Sequence, residues 1–136
     1  MRTLVSLVVL TLSGTFPAPS LACGVCVEDK VAATYDHAVV TRAEALHHLV
    51  VFGKIGGTVN MKAVTARIAA AAARVRGIDR GTVRTSASPP AFSFALDPAA
   101  QAPASAVAAL QKRLRTQGVK LSVLRVMSSD TKAARN

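Results

Sequence analysis

From Leu49 to Met127 the spacing of apolar residues switches repeatedly between two periods, and the order of those switches restricts the fold more than any other feature of the chain. Leu49-Val50-Val51-Phe52 is a short apolar run between His47-His48 and Gly53, which reads as a buried strand. Gly56-Gly57 then turns the chain, and Thr58 or Asn60 supplies a helix cap. Met61, Val64, Ile68, Ala71 and Val75 follow at steps of three and four, one face of a helix. The alanines from Ala69 to Ala73 favour that helix, and Gly77 is placed to end it. Ile78 to Thr85 is the next strand, with Val83 pointing inward. Ser86 to Pro90 is a turn, because Pro89 and Pro90 bar a central strand there. Phe92, Phe94 and Leu96 alternate with Ala91, Ser93 and Ala95, which is the strand period. Pro103 opens a second helix carrying Val107, Leu110 and Leu114, and Gly118 stops it. Leu121 to Met127 is the last strand.

Strand, helix, strand, strand, helix, strand predicts an α+β fold. Its simplest packing is a four-stranded antiparallel sheet with two helices on one face, the ferredoxin-like βαββαβ sandwich. Ahead of it, Val27, Val31, Tyr35, Val39, Ala43 and Leu46 lie on one helical face, so residues 23–47 form an N-terminal helical extension. Glu28 and Asp29 occupy its first turn, where the helix dipole favours negative charge. The sandwich covers 48–128, and 129–136 is a polar tail expected to be disordered.

Residues 1–22 have the three parts of a cleavable signal peptide. Met1-Arg2 gives a positive start, Leu4 to Leu12 is apolar apart from Ser6 and Thr11, and Ser20-Leu21-Ala22 puts small residues at −3 and −1 before Cys23. The run is shorter than the ~20 residues of a membrane span. Cleavage before Cys23 also admits a lipoprotein, although Ser20 and Leu21 depart from the usual lipobox order. The expected location is periplasmic or secreted, and the alanine- and arginine-rich composition fits a bacterial periplasm.

The formal net charge is +10, and the leader contributes only Arg2 to it. Nucleic acid is not the expected partner. The chain is read as exported, and it has one Tyr, four Phe and no Trp for stacking on bases. An acidic partner protein or an anionic membrane surface fits the charge, as does a solvated basic face that only aids solubility.

Cys23-Gly-Val-Cys26 is the most informative motif. Two thiolates at this spacing can hold one soft ion such as Cu(I), or supply half of a zinc site. A free amino group at Cys23 would add a nitrogen ligand, and a helix N-terminus favours thiolate. The same pair can serve thiol redox exchange or form a plain disulfide in an oxidising compartment. His37 lies eleven residues beyond Cys26, about 16 Å along a straight helix, and joins the pair only if the helix breaks. His47 and His48 would face opposite sides of a strand. Met61 and Met127 sit on apolar faces and read as core.

From His48 to Met127 the chain resembles the heavy-metal-associated domains, the small copper chaperones and metal modules of P-type ATPases. The likeness rests on element order, on Gly77-Ile78-Asp79 leading to Val83, on Phe92 to Asp97-Pro98, and on the helix ending at Gly118. It implies a ferredoxin-like fold and a metal-handling role. The family's Met-x-Cys-x-x-Cys loop corresponds to Gly53–Asn60, which contains no cysteine. The only cysteines are Cys23 and Cys26, in the extension.

Enzymatic chemistry finds little support. There is no Gly-x-Ser-x-Gly turn and no Gly-rich loop ending in Lys-Ser/Thr, and nothing completes a set around Asp36-His37. The expectation is a non-enzymatic, exported, soft-metal binding or delivery protein with Cys23 and Cys26 as ligands. The alternatives are a protein-interaction module with a structural Cys23–Cys26 disulfide, and a thiol redox protein.

Overall fold

The period-two segment becomes a central strand, and every residue from Ala91 to Leu96 is buried. A strand with one face in water would show polar residues on alternate positions, so this burial requires a layer on each side. The computed structural model describes residues 26–114 and 118–128. Its elements are α1 (Val27–Thr34), α2 (His37–Ala45), β1 (Leu49–Gly56), α3 (Met61–Ala72), β2 (Arg84–Ala87), β3 (Pro90–Leu96), α4 (Pro103–Leu114) and β4 (Lys120–Met127). The fold is α+β. The sheet order is β2-β3-β1-β4, and all three pairings are antiparallel. That is the ferredoxin-like strand arrangement the alternation of periods predicts.

One core lies between the sheet and the α3/α4 layer. It gathers Val51, Ile55, Phe92, Phe94 and Leu96 from the sheet with Val64, Ile68, Val107 and Leu110 from the helices. The rings of Phe92 and Phe94 stack with centroids 6.0 Å apart. A second core lies on the other face, where Val31, Val39, Val40 and Ala43 of α1 and α2 meet Val50, Phe52 and Ala95. The extension is thus a third layer, and small residues at Ala91, Ser93 and Ala95 let its helices approach.

Several boundaries differ from the sequence expectation. The extension is two helices, not one. Asp36 breaks it, since its Oδ1 accepts from the N–H groups of Ala38 (2.9 Å) and Val39 (3.3 Å) and so caps α2. The buried stripe is correspondingly rotated, and Val27, Tyr35 and Leu46 are exposed. β1 runs on to Gly56, because Gly53 and Lys54 pair with both β3 and β4. α3 ends at Ala72; residues 73–77 are turns, with Gly77 at φ 83°. Ile78 makes only an isolated bridge to Leu96. The expected strand from Ile78 shrinks to β2, while the expected turn shrinks to Ser88-Pro89. Pro90 opens β3 at its first position, where a missing N–H costs no central pairing.

Gly53 fixes the middle of the sheet. A Cβ there would lie 2.2 Å from Cζ of Phe92, so the ring occupies the space a side chain would need. We predict that Gly53→Ala lowers stability by about 1–3 kcal/mol through overpacking. Adding Phe92→Leu should return part of the loss, in contrast to the additive damage expected of independent sites. Urea denaturation midpoints of the two variants measure this.

Candidate metal centre and the helical cover that carries it

Four residues paired side by side cross the whole sheet: Arg84 in β2 opposite Ser93 in β3, Ser93 opposite Phe52 in β1, and Phe52 opposite Arg125 in β4. Directly paired residues share a face, and this row faces α1 and α2. Each member holds part of the cover. Arg125 forms a two-pronged ion pair with Glu28 in the first turn of α1, its Nη1 donating to Oε2 at 2.9 Å and its Nη2 to Oε1. Phe52 is buried in the second core. Ser93 Oγ donates to the Thr34 carbonyl at the end of α1, 2.7 Å away and buried. Arg84 Nε donates to Asp36 Oδ2 at 2.8 Å, so the residue that caps α2 is also tied to β2.

Dimensions explain the match. From Glu28 to Thr34 the helix rises about 9 Å and the extended Tyr35-Asp36 link adds up to about 7 Å, while three inter-strand steps cover about 14 Å. One short helix and the link after it therefore cross the strands, with the acidic start of α1 at one edge and Asp36, the cap of α2, at the other.

Cys26 is the N-cap residue of α1. Its side chain is exposed, and its N–H donates to Asp29 Oδ2 at 3.2 Å. Cys23 lies outside the described residues, as do the predicted leader, 1–22, and the polar tail from residue 129. Glu28, two residues on from Cys26, is the group that reaches Arg125, so the cysteine sits beside the anchored end of the cover. His37 opens α2 and is exposed. His47 and His48 are not in a strand. His47 takes a left-handed backbone at φ 56° after α2, and His48 Nδ1 lies 2.8 Å from Asp79 Oδ2.

The His48–Asp79 pair was not anticipated from sequence, since its partners are 31 positions apart. It ties the start of β1 to the α3–β2 connection. Thr82, the nearby hydroxyl, is already engaged: its Oγ1 donates to the Asp79 carbonyl and accepts from the Ala95 N–H. The pair therefore serves as a clasp.

The Gly53–Asn60 segment, which the resemblance made the counterpart of a metal loop, is occupied differently. Asn60 Oδ1 caps α3 by accepting from the Ala63 N–H at 3.2 Å, and Val59 and Met61 pack on the first core. These residues do not fit a metal. Cys26 is nowhere near a replacement for them. Its anchor, Arg125, pairs with Phe52, about four residues or 13 Å of strand from Gly56, and on the opposite face of the sheet. Among the described residues, no three His, Cys, Asp or Glu side chains are grouped to hold a metal. No helix among them is long and apolar enough to cross a membrane. Neither a protein-family model nor a curated protein sequence matches the chain.

The hydrogen bond from Arg125 holds the Glu28 carboxyl below the usual carboxylate range. The hydrogen bond from Arg84, helped by the Val39 N–H, does the same for Asp36. Both folded values lie below the unfolded ones. Their contribution to stability is therefore complete above the ordinary carboxylate range and is lost as pH falls through the lowered values. We predict that acidification from about pH 5 towards about pH 2 lowers the protection factors of amides in α1 and α2, taken against the unstructured exchange rate at the same pH, before those in β1 and β3. Glu28→Gln should flatten that dependence. Ser93→Ala leaves the Thr34 carbonyl without its donor and should cost about 1–3 kcal/mol in chemical denaturation, at any pH.

Proposed function

We propose that this is an exported, non-enzymatic protein that binds a soft metal ion, with Cys23 and Cys26 as its ligands. The observation that carries the reading is the placement of Cys26: an exposed thiol at the start of a helix that is anchored to the sheet at both ends. A ligand at the start of such a helix is held by a rigid element, as a selective site requires. The donor set is two thiolates, which suits the low coordination number of Cu(I); a closed zinc site needs four ligands. Exposure of the thiol also leaves room for an incoming donor, which delivery from one protein to another demands. The periplasm is the compartment this reading uses, on the strength of residues 1–22.

The test is an anaerobic Cu(I) titration of the reduced protein against a chromophoric chelator. One equivalent should be taken in competition, and the Cys23→Ser/Cys26→Ser variant should take none. If the unaltered protein fails to compete, the metal reading falls and the pair is a static disulfide in an interaction module.

A further inference from the structure

A groove of about 490 Å³ opens to solvent between α3 and α4, on the face of the sheet away from α1 and Cys26. Its walls carry Arg67 and Arg74 on one side and Arg113 on the other, and Ala70, Ala71 and Leu114 form its floor. All three arginines are exposed, and the described ion pairs use other residues: His48–Asp79, Arg84–Asp36 and Arg125–Glu28. Helix C-termini nearby carry only about half a negative charge each, so three full cations leave the groove strongly positive.

Acidic residues are segregated from it. No Asp or Glu occurs between Glu44 and Asp79, or between Asp97 and Asp130, so neither α3 nor α4 contains one. The α1/α2 segment, by contrast, carries Glu28, Asp29, Asp36 and Glu44. The two helical layers therefore present different charge to an approaching molecule, which orients encounter with an acidic one.

We propose that this groove receives a helical segment of an acidic partner protein. Its carboxylates would reach Arg67, Arg74 and Arg113, and its small or apolar side chains would rest on Ala70, Ala71 and Leu114. Arginine suits the role because its fork can hold a carboxylate with two hydrogen bonds. Arg67 lies in the last turns of α3 and Arg74 two residues past its end at Ala72, so that wall presents two cations in succession to carboxylates spaced along a partner helix. An alanine floor between two raised walls accepts a ridge of side chains closely. A flat anionic membrane would instead meet the outermost cations of the surface without using the floor. This inference stands independently of the metal reading.

The test uses two synthetic helical peptides of one composition. One places glutamates seven apart on a single face beside alanine and leucine, and the other moves them around the helix. Fluorescence anisotropy should show the patterned peptide binding more tightly. Arg67→Glu/Arg74→Glu should weaken that binding by about tenfold, as expected for losing two exposed pairs. The control Lys54→Glu/Arg80→Glu makes the same charge change at exposed positions outside the groove and should leave the preference intact. Circular dichroism checks that both variants stay folded, and Arg67→Gln/Arg74→Gln replaces the first if it does not. Equal binding of the two peptides, or equal loss in the control, overturns the proposal in favour of unspecific attraction. Binding to phosphatidylglycerol vesicles without binding to the patterned peptide overturns it in favour of a membrane.

Discussion

The row Arg84–Ser93–Phe52–Arg125 is the constraint on which the rest of the architecture depends. A sheet presents its side chains in such rows at a fixed pitch, and here every member of one row is committed to the same short helix or its boundary. Two charged ends and a buried hydroxyl locate α1 across the strands, and Phe52 supplies the apolar contact beneath. Ion pairs as exposed as Glu28–Arg125 contribute little on their own. Their value here is directional, because they fix where the helix lies, while burial of Val31, Val39 and Val40 provides the larger attraction.

That arrangement decides which surfaces are free. A βαββαβ sheet with helices on one side leaves its other side to solvent or to a ligand. In this chain the second side is closed by α1 and α2, so Val50, Phe52, Ser93 and Ala95 are interior. The surfaces left open include the rim beside Cys26 on one side and the basic furrow of α3 and α4 on the other. The molecule is divided by its own sheet into two faces with different chemistry.

Much of this was legible in the sequence. The order of strands and helices followed from the apolar periods, and the Phe92–Leu96 alternation located the central strand. The errors share a physical cause. Gly53 and Lys54 interrupted an apolar run, so β1 was cut short, although the glycine is there because an aromatic ring crosses it. Asp36 fell inside a span read as one helix and was weighed only for chemistry beside His37, although its side chain starts a new helix. The third layer left a signal that went unused: Ala91, Ser93 and Ala95 are small, and Ser93 is the sole polar residue among them. A wetted face carries more polarity than that. The partners of Arg84, Arg125 and His48 were out of reach, because nothing in a single sequence relates residues 31 to 97 positions apart.

The cover also sets the order in which the molecule can be finished. During synthesis α1 and α2 are made before any strand exists to receive them, and helices of eight and nine residues do not persist alone in water. The strand that bears Arg125 is made last, 97 positions after Glu28. A nascent chain has the apolar partners of that layer, Val50, Phe52 and Ala95, by residue 96, but lacks Arg125 until β4 has appeared. Closure of the outer layer joins the two ends of the folded unit, so a chain interrupted before residue 120 would keep its lid and lose the latch.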